Sequence, residues 1–114
     1  MAKQLVKVKK NQLQKVLRTQ ELVGYFYWDY WEFCSAHFEW LKTYPAGTLS
    51  SEELETELET LYAQCREQMK EYRKKIHPCM TLGIYIGYFD DDEKDFHIVD
   101  SRFPTAEEET EDNA

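Results

Sequence analysis

Hydrophobic and polar positions follow one period at the start of this chain and another further on. Gln4 to Lys9, QLVKVK, alternates polar and apolar residues apart from the Leu5-Val6 pair, the period of a half-buried strand. From Asn11, a suitable N-cap, the residues Leu13, Val16, Leu17 and Val23 recur at spacings that fit one face of a helix running toward Gly24. Residues 24–40, GYFYWDYWEFCSAHFEW, then place nine aromatic rings in seventeen positions. Tyr, Phe and Trp favour pleated surfaces, but Asp29, Glu32, Ser35, Glu39 and Lys42 follow one another at steps of three, three, four and three. Those steps gather the polar residues on one stripe of a helix and would scatter them over both faces of a strand. The stripe therefore predicts a central aromatic helix, fused to the first or kinked at Gly24, and stopped at Tyr44-Pro45-Ala46-Gly47.

The next segment carries the clearest helical pattern. Ser50 and Glu53 have capping-box spacing, and Leu54, Leu58, Leu61, Cys65, Met69, Tyr72 and Ile76 continue at three- and four-residue steps until Pro78. Glutamates crowd the first turns and Arg66, Lys70, Arg73, Lys74 and Lys75 the last, which complements the helix dipole at both ends. MTLGIYIGYF, DDDEKD and FHIVDSRF then read as an antiparallel hairpin over residues 80–89 and 96–103 with a polar tip. Gly83 and Gly87 fall on one face of its first strand, where a missing side chain lets another group approach closely.

Together these elements predict an α+β fold in the order β-α-α-α-β-β. Two to three helices, the aromatic one central, pack against a small antiparallel β-sheet made of the N-terminal strand and the C-terminal hairpin. Residues 1–103 are expected to form one domain, and residues 104–114, which lack an apolar anchor, a disordered acidic tail.

Charge narrows the choice of partners. The formal charge is −8, yet residues 1–20 carry six Lys or Arg and no acid, whereas residues 90–114 carry eleven acids against Lys94 and Arg102. A negative field repels phosphate, so direct nucleic-acid binding is disfavoured unless Lys3, Lys7, Lys9, Lys10, Lys15 and Arg18 form a patch of their own. A protein partner with a basic surface is favoured instead. The longest stretch without a charged side chain, Ile76 to Phe89, is too short to span a bilayer, and three cysteines cannot all pair within one chain. With no secretory apolar run at the N-terminus, the expected setting is the cytoplasm.

Candidate chemistry is sparse. Cys34, His37, His77 and Cys79 could close a tetrahedral zinc site if they met, but their spacing matches no zinc finger or ribbon, so no metal and no cofactor is assigned. The acidic tip lacks the central glycine and closing glutamate of an EF-hand loop. Nothing supports a nucleophile with a base in reach, and no catalytic residue is assigned. What remains is an aromatic surplus beside an acidic hairpin. Trp28, Trp31, Trp40 and Tyr27 carry polar handles that are hard to satisfy in a small core and serve well as interface anchors. Asp90, Asp91, Asp92, Glu93 and Asp95 can hold negative charge at fixed separations on a hairpin tip. In placing an amphipathic helix before IGYFDDDEKDF, the chain resembles in general character the small acidic proteins that imitate DNA, among them the uracil-DNA glycosylase inhibitors. That likeness covers about a tenth of the residues and is one of physical style, with no motif shared. It implies a non-enzymatic inhibitor or adaptor of the kind encoded by phages and mobile elements, with a homodimer as a second use for the rings.

Overall fold

A computed structural model describes residues 4–30, 35–75, 81–90 and 95–104. The chain is α+β, with a five-stranded mixed sheet and two helices. Strand β1 (Gln4–Lys7) leads through a 3₁₀ turn into the short helix α1 (Leu13–Thr19); β2 (Leu22–Tyr30) and β3 (Ser35–Tyr44) follow. Helix α2 (Ser51–Lys75) then crosses to β4 (Thr81–Phe89) and β5 (Asp95–Arg102). The strand order across the sheet is β1-β5-β4-β2-β3. The β1–β5 pair is parallel and the other three are antiparallel, so the sheet is mixed where an antiparallel one is expected.

The aromatic helix is overturned. Residues 24–30 and 35–44 are two antiparallel strands, paired from Leu22↔Tyr44 to Tyr30↔Ser35. The physical reason lies in β2, which sits between β3 and β4 with both faces covered. Leu22, Gly24 and Phe26 are buried toward the helices, while Tyr27 is buried on the other face beside Val23 and Tyr25. A strand buried on both sides has no polar face, so it reads as a continuous apolar run. The polar residues left over, Asp29, Glu39 and Lys42, belong to two different strands, and their helical spacing along the chain is accidental. The first helix is shorter than its pattern suggests for the same reason. Val16 and Leu17 are buried in α1, but Val23 already belongs to β2.

The N-cap expected at Asn11 is not used, since Asn11 lies inside the 3₁₀ turn and α1 begins after Gln12, but three other elements match their expectation. The N-terminal strand and the C-terminal hairpin are present, and α2 begins where its cap predicts. Ser50 Oγ accepts the Glu53 backbone N–H at 3.1 Å and its hydroxyl donates to Glu53 Oε1 at 2.9 Å. From there Leu54, Leu58, Leu61, Cys65 and Met69 form the buried stripe, each burial stabilising by about 1.5–3 kcal/mol. The stripe packs on Leu22, Phe26, Leu82, Ile84 and Ile86, which form the main core with Val16, Leu17 and Tyr44. The predicted end of the helix at Ile76 and Pro78, most of the acidic tip and the tail beyond residue 104 lie outside the described residues.

Two interruptions shape the sheet. Between Gly24 and Tyr25 the partner skips from Lys42 to Trp40, leaving Leu41 as an extra residue in β3. Between Ile86 and Gly87 the partner skips from Asp100 to Ile98, leaving Val99 extra in β5. Bulges of this kind bend a strand and add right-handed twist. Their effect is a sheet that curls over the face turned away from α2.

Candidate functional site: an aromatic sheet face beside an acidic hairpin neck

The curled face holds a second, smaller cluster. Tyr27, Tyr85 and Phe96 are buried there, surrounded by Leu5, Val23, Tyr25, Phe38, Phe89 and Ile98. On a flat sheet Phe38 in β3 and Phe96 in β5 would stand three strand spacings apart, roughly 14 Å. Their ring centroids are 5.5 Å apart, and Phe38 lies 5.6 Å from Phe89. Tyr25 meets Phe38, Phe89 and Phe96 edge-on at 5.6–5.7 Å. Edge-to-face contacts of this type are favoured by the ring quadrupoles and contribute beyond area burial. Among the described residues no helix covers this face, so the rings are sheltered by one another.

Two large side chains at its margin are not sheltered. Trp40 is 59% exposed and Phe103 is 45% exposed. The Trp40 indole N–H donates to Thr43 Oγ1 at 2.9 Å, which satisfies its polar group and leaves the ring free to face solvent. Phe103 lies over Gly83, where an added Cβ would come within 2.8 Å of the ring, and meets Tyr85 edge-on at 5.5 Å. The glycine thus makes room for a ring from the neighbouring strand.

Phe89 and Phe96 are the immediate chain neighbours of Asp90 and Asp95, whose backbones close the hairpin neck through the Asp90 N–H donating to the Asp95 carbonyl at 3.2 Å. Those two rings meet Phe38, two residues from Trp40, while the backbone of the neck itself is paired to β1 through Gln4↔Asp95.

The predicted site residues therefore divide. Trp40 borders the curled face, whereas Asp90 and Asp95 are the chain neighbours of its rings Phe89 and Phe96. Tyr27 belongs to the same face but is buried, stacked on Tyr85 at 5.0 Å. Trp28 points to the opposite face, half-buried between His37 and Tyr72 in a stack at 5.1 and 5.2 Å. Trp31, Asp91, Asp92 and Glu93 lie outside the described residues, as do Cys34, His77 and Cys79. Among the described residues no group of three His, Cys, Asp or Glu could hold a metal ion. Phe103 and Phe38 are the contributors that sequence reasoning missed. Gly83 was the available signal, since a glycine inside a strand marks a close approach.

Four buried groups among the described residues have their ionisation pushed upward. Burial, reinforced by the Asp29 carboxylate that accepts its hydrogen bond, pushes the Tyr27 phenol far above its ordinary range. Burial and the same carboxylate push Tyr85 up to about 12. On the helix side, burial and Glu57 push Tyr44 up to about 12, and burial raises the Cys65 thiol. A general acid or base works best near the operating pH, and each of these groups moves away from it. The chain matches no family model, no curated protein and no solved structure. No described helix is long and apolar enough to cross a membrane.

Proposed function

We propose that this protein is a non-enzymatic interaction module, an inhibitor or adaptor that docks on a basic protein partner through the aromatic sheet face and the acidic hairpin beside it. The observation that carries it is Trp40, 59% exposed at the margin of a ring cluster that no described helix covers. Tryptophan at the edge of an apolar patch is the commonest energetic anchor of protein interfaces, and fixed acids nearby steer a basic partner into place.

The test is capture of the partner from its native cell lysate with the wild-type chain, Trp40→Ala, and Gln64→Ala as an exposed control on α2. A partner retained by wild type and control, and lost with Trp40→Ala, supports the reading; capture indifferent to Trp40 removes it. The alternative is a nucleic-acid-associated protein using Lys7, Lys9, Lys10, Lys15 and Arg18, all exposed along the N-terminal strand, turn and α1. Its mark is oligonucleotide binding at low salt that disappears when residues 1–10 are deleted.

A further inference from the structure

The two edges of the sheet are unequal. At one end β1 is four residues long and leads into Lys9 and Lys10, a short and charged edge of the kind that discourages further pairing. At the other end β3 runs ten residues, Ser35–Tyr44, and pairs with no described strand on its outer side. Its faces are chemically distinct. Phe38, Trp40 and Thr43 belong to the aromatic side, while His37, Glu39 and Lys42 belong to the side that carries α2. On that second side Lys42 is already engaged with Glu57 at 2.8 Å, so the charge presented to an incoming strand is the exposed Glu39 carboxylate.

Resting on the docking reading above, we infer that the partner binds by β-augmentation: an extended segment alternating lysine or arginine with apolar residues adds to the outer edge of β3 as a sixth strand. Main-chain hydrogen bonds to β3 supply affinity that is independent of side chains, and alternation supplies the specificity. The apolar residues extend the ring cluster beyond Phe38 and Trp40. The basic residues meet the exposed Glu39 carboxylate, and the net charge of −8 favours them over acidic ones. A second copy of this chain is the poorer occupant, because two molecules of charge −8 repel and a β3 strand brings Glu39 where a cation is wanted.

The experiment uses the full chain and a synthetic peptide alternating lysine with isoleucine, with amide hydrogen exchange as the readout. Binding slows exchange in residues 37–43, and of two peptides N-methylated at alternate positions, one retains binding and the other loses it. Glu39→Lys weakens the peptide about fivefold, the size of a cross-strand charge pair turned repulsive, without changing the folded circular dichroism spectrum. Absence of peptide-induced protection in β3 overturns the inference. So does equal binding of both methylated peptides, and if Trp40→Ala still releases the captured partner, the docking face survives while the edge does not. Protection of β3 that grows with protein concentration in the absence of peptide also overturns it, by assigning the edge to a second copy.

Discussion

Gly87 and Gly83 occupy the same face of β4, yet different neighbours hold them to glycine. A Cβ at Gly87 would overlap the carbonyl oxygen of His97, a backbone atom fixed by the β4–β5 ladder at its bulge. A Cβ at Gly83 would meet chiefly the ring of Phe103, which is half-exposed and able to swing outward. Gly87→Ala should therefore cost about 1–3 kcal/mol in denaturant unfolding, and Gly83→Ala less, with extra exposure of Phe103. The rings divide in the same way. Phe96 is fully buried, so Phe96→Ala should cost about 3–5 kcal/mol, whereas Trp40→Ala should stay within about 0.5 kcal/mol of wild type. A large loss at Trp40 would show that its ring supports the fold and would weaken its use as an anchor.

The tyrosines carry a pH signature. Tyr44 and Tyr85 are pushed up to about 12 in the folded chain, while an unfolded phenol ionises near 10. The neutral phenol is the form the fold favours, so their contribution is complete below pH ~10 and is lost as the pH rises from there through about 12. Ultraviolet titration should show part of the tyrosine absorbance delayed until the alkaline unfolding transition. All phenols ionising together near their ordinary value, with the fold intact, would contradict the burial assigned to these two.

At the scale of elements, α2 was legible because its signals agree. Cap, leucine period and charge gradient all indicate one helix, and Ser50→Ala should cost about 1 kcal/mol by removing the acceptor for the Glu53 N–H. The β2–β3 hairpin was illegible because its signals conflict. Burial on both faces erases the two-residue alternation from Leu22 to Trp28, and the bulge at Leu41 shifts the phase of β3 halfway along. Composition held the better clue, since Tyr, Phe and Trp at this density favour a sheet, but a polar stripe at helical spacing outweighed it. The hairpin over residues 81–102 was readable because glycines and the acidic tip punctuate it. Its pairing with β1 was not, since a parallel contact between chain termini leaves no local mark. The site was half legible for a related reason. Trp40 and the acidic hairpin could be named from sequence, but the meeting of Phe38 with Phe89 and Phe96 depends on a curl that only the three-dimensional register reveals.

At the scale of the whole molecule, the proposed docking would have charge and the aromatic face act on different stages of binding. A net charge of −8 acts at distance and raises the encounter rate with a basic partner, whereas the rings act only after contact. Reversing Asp90 and Asp95 to lysine shifts the formal charge by four units at the neck while leaving Trp40 and Phe103 in place. The association rate with the captured partner should fall in low salt, and the difference from wild type should shrink as the ionic strength approaches 1 M, where the screening length is about 3 Å. The dissociation rate should change little, because the two acids border the ring cluster and are not buried within it. Trp40→Ala should show the opposite pattern, faster dissociation with an association rate close to wild type. Surface plasmon resonance across a salt series separates the two, and equal effects of both changes on dissociation would mean that the neck and the indole lie under one contact and do not act in sequence.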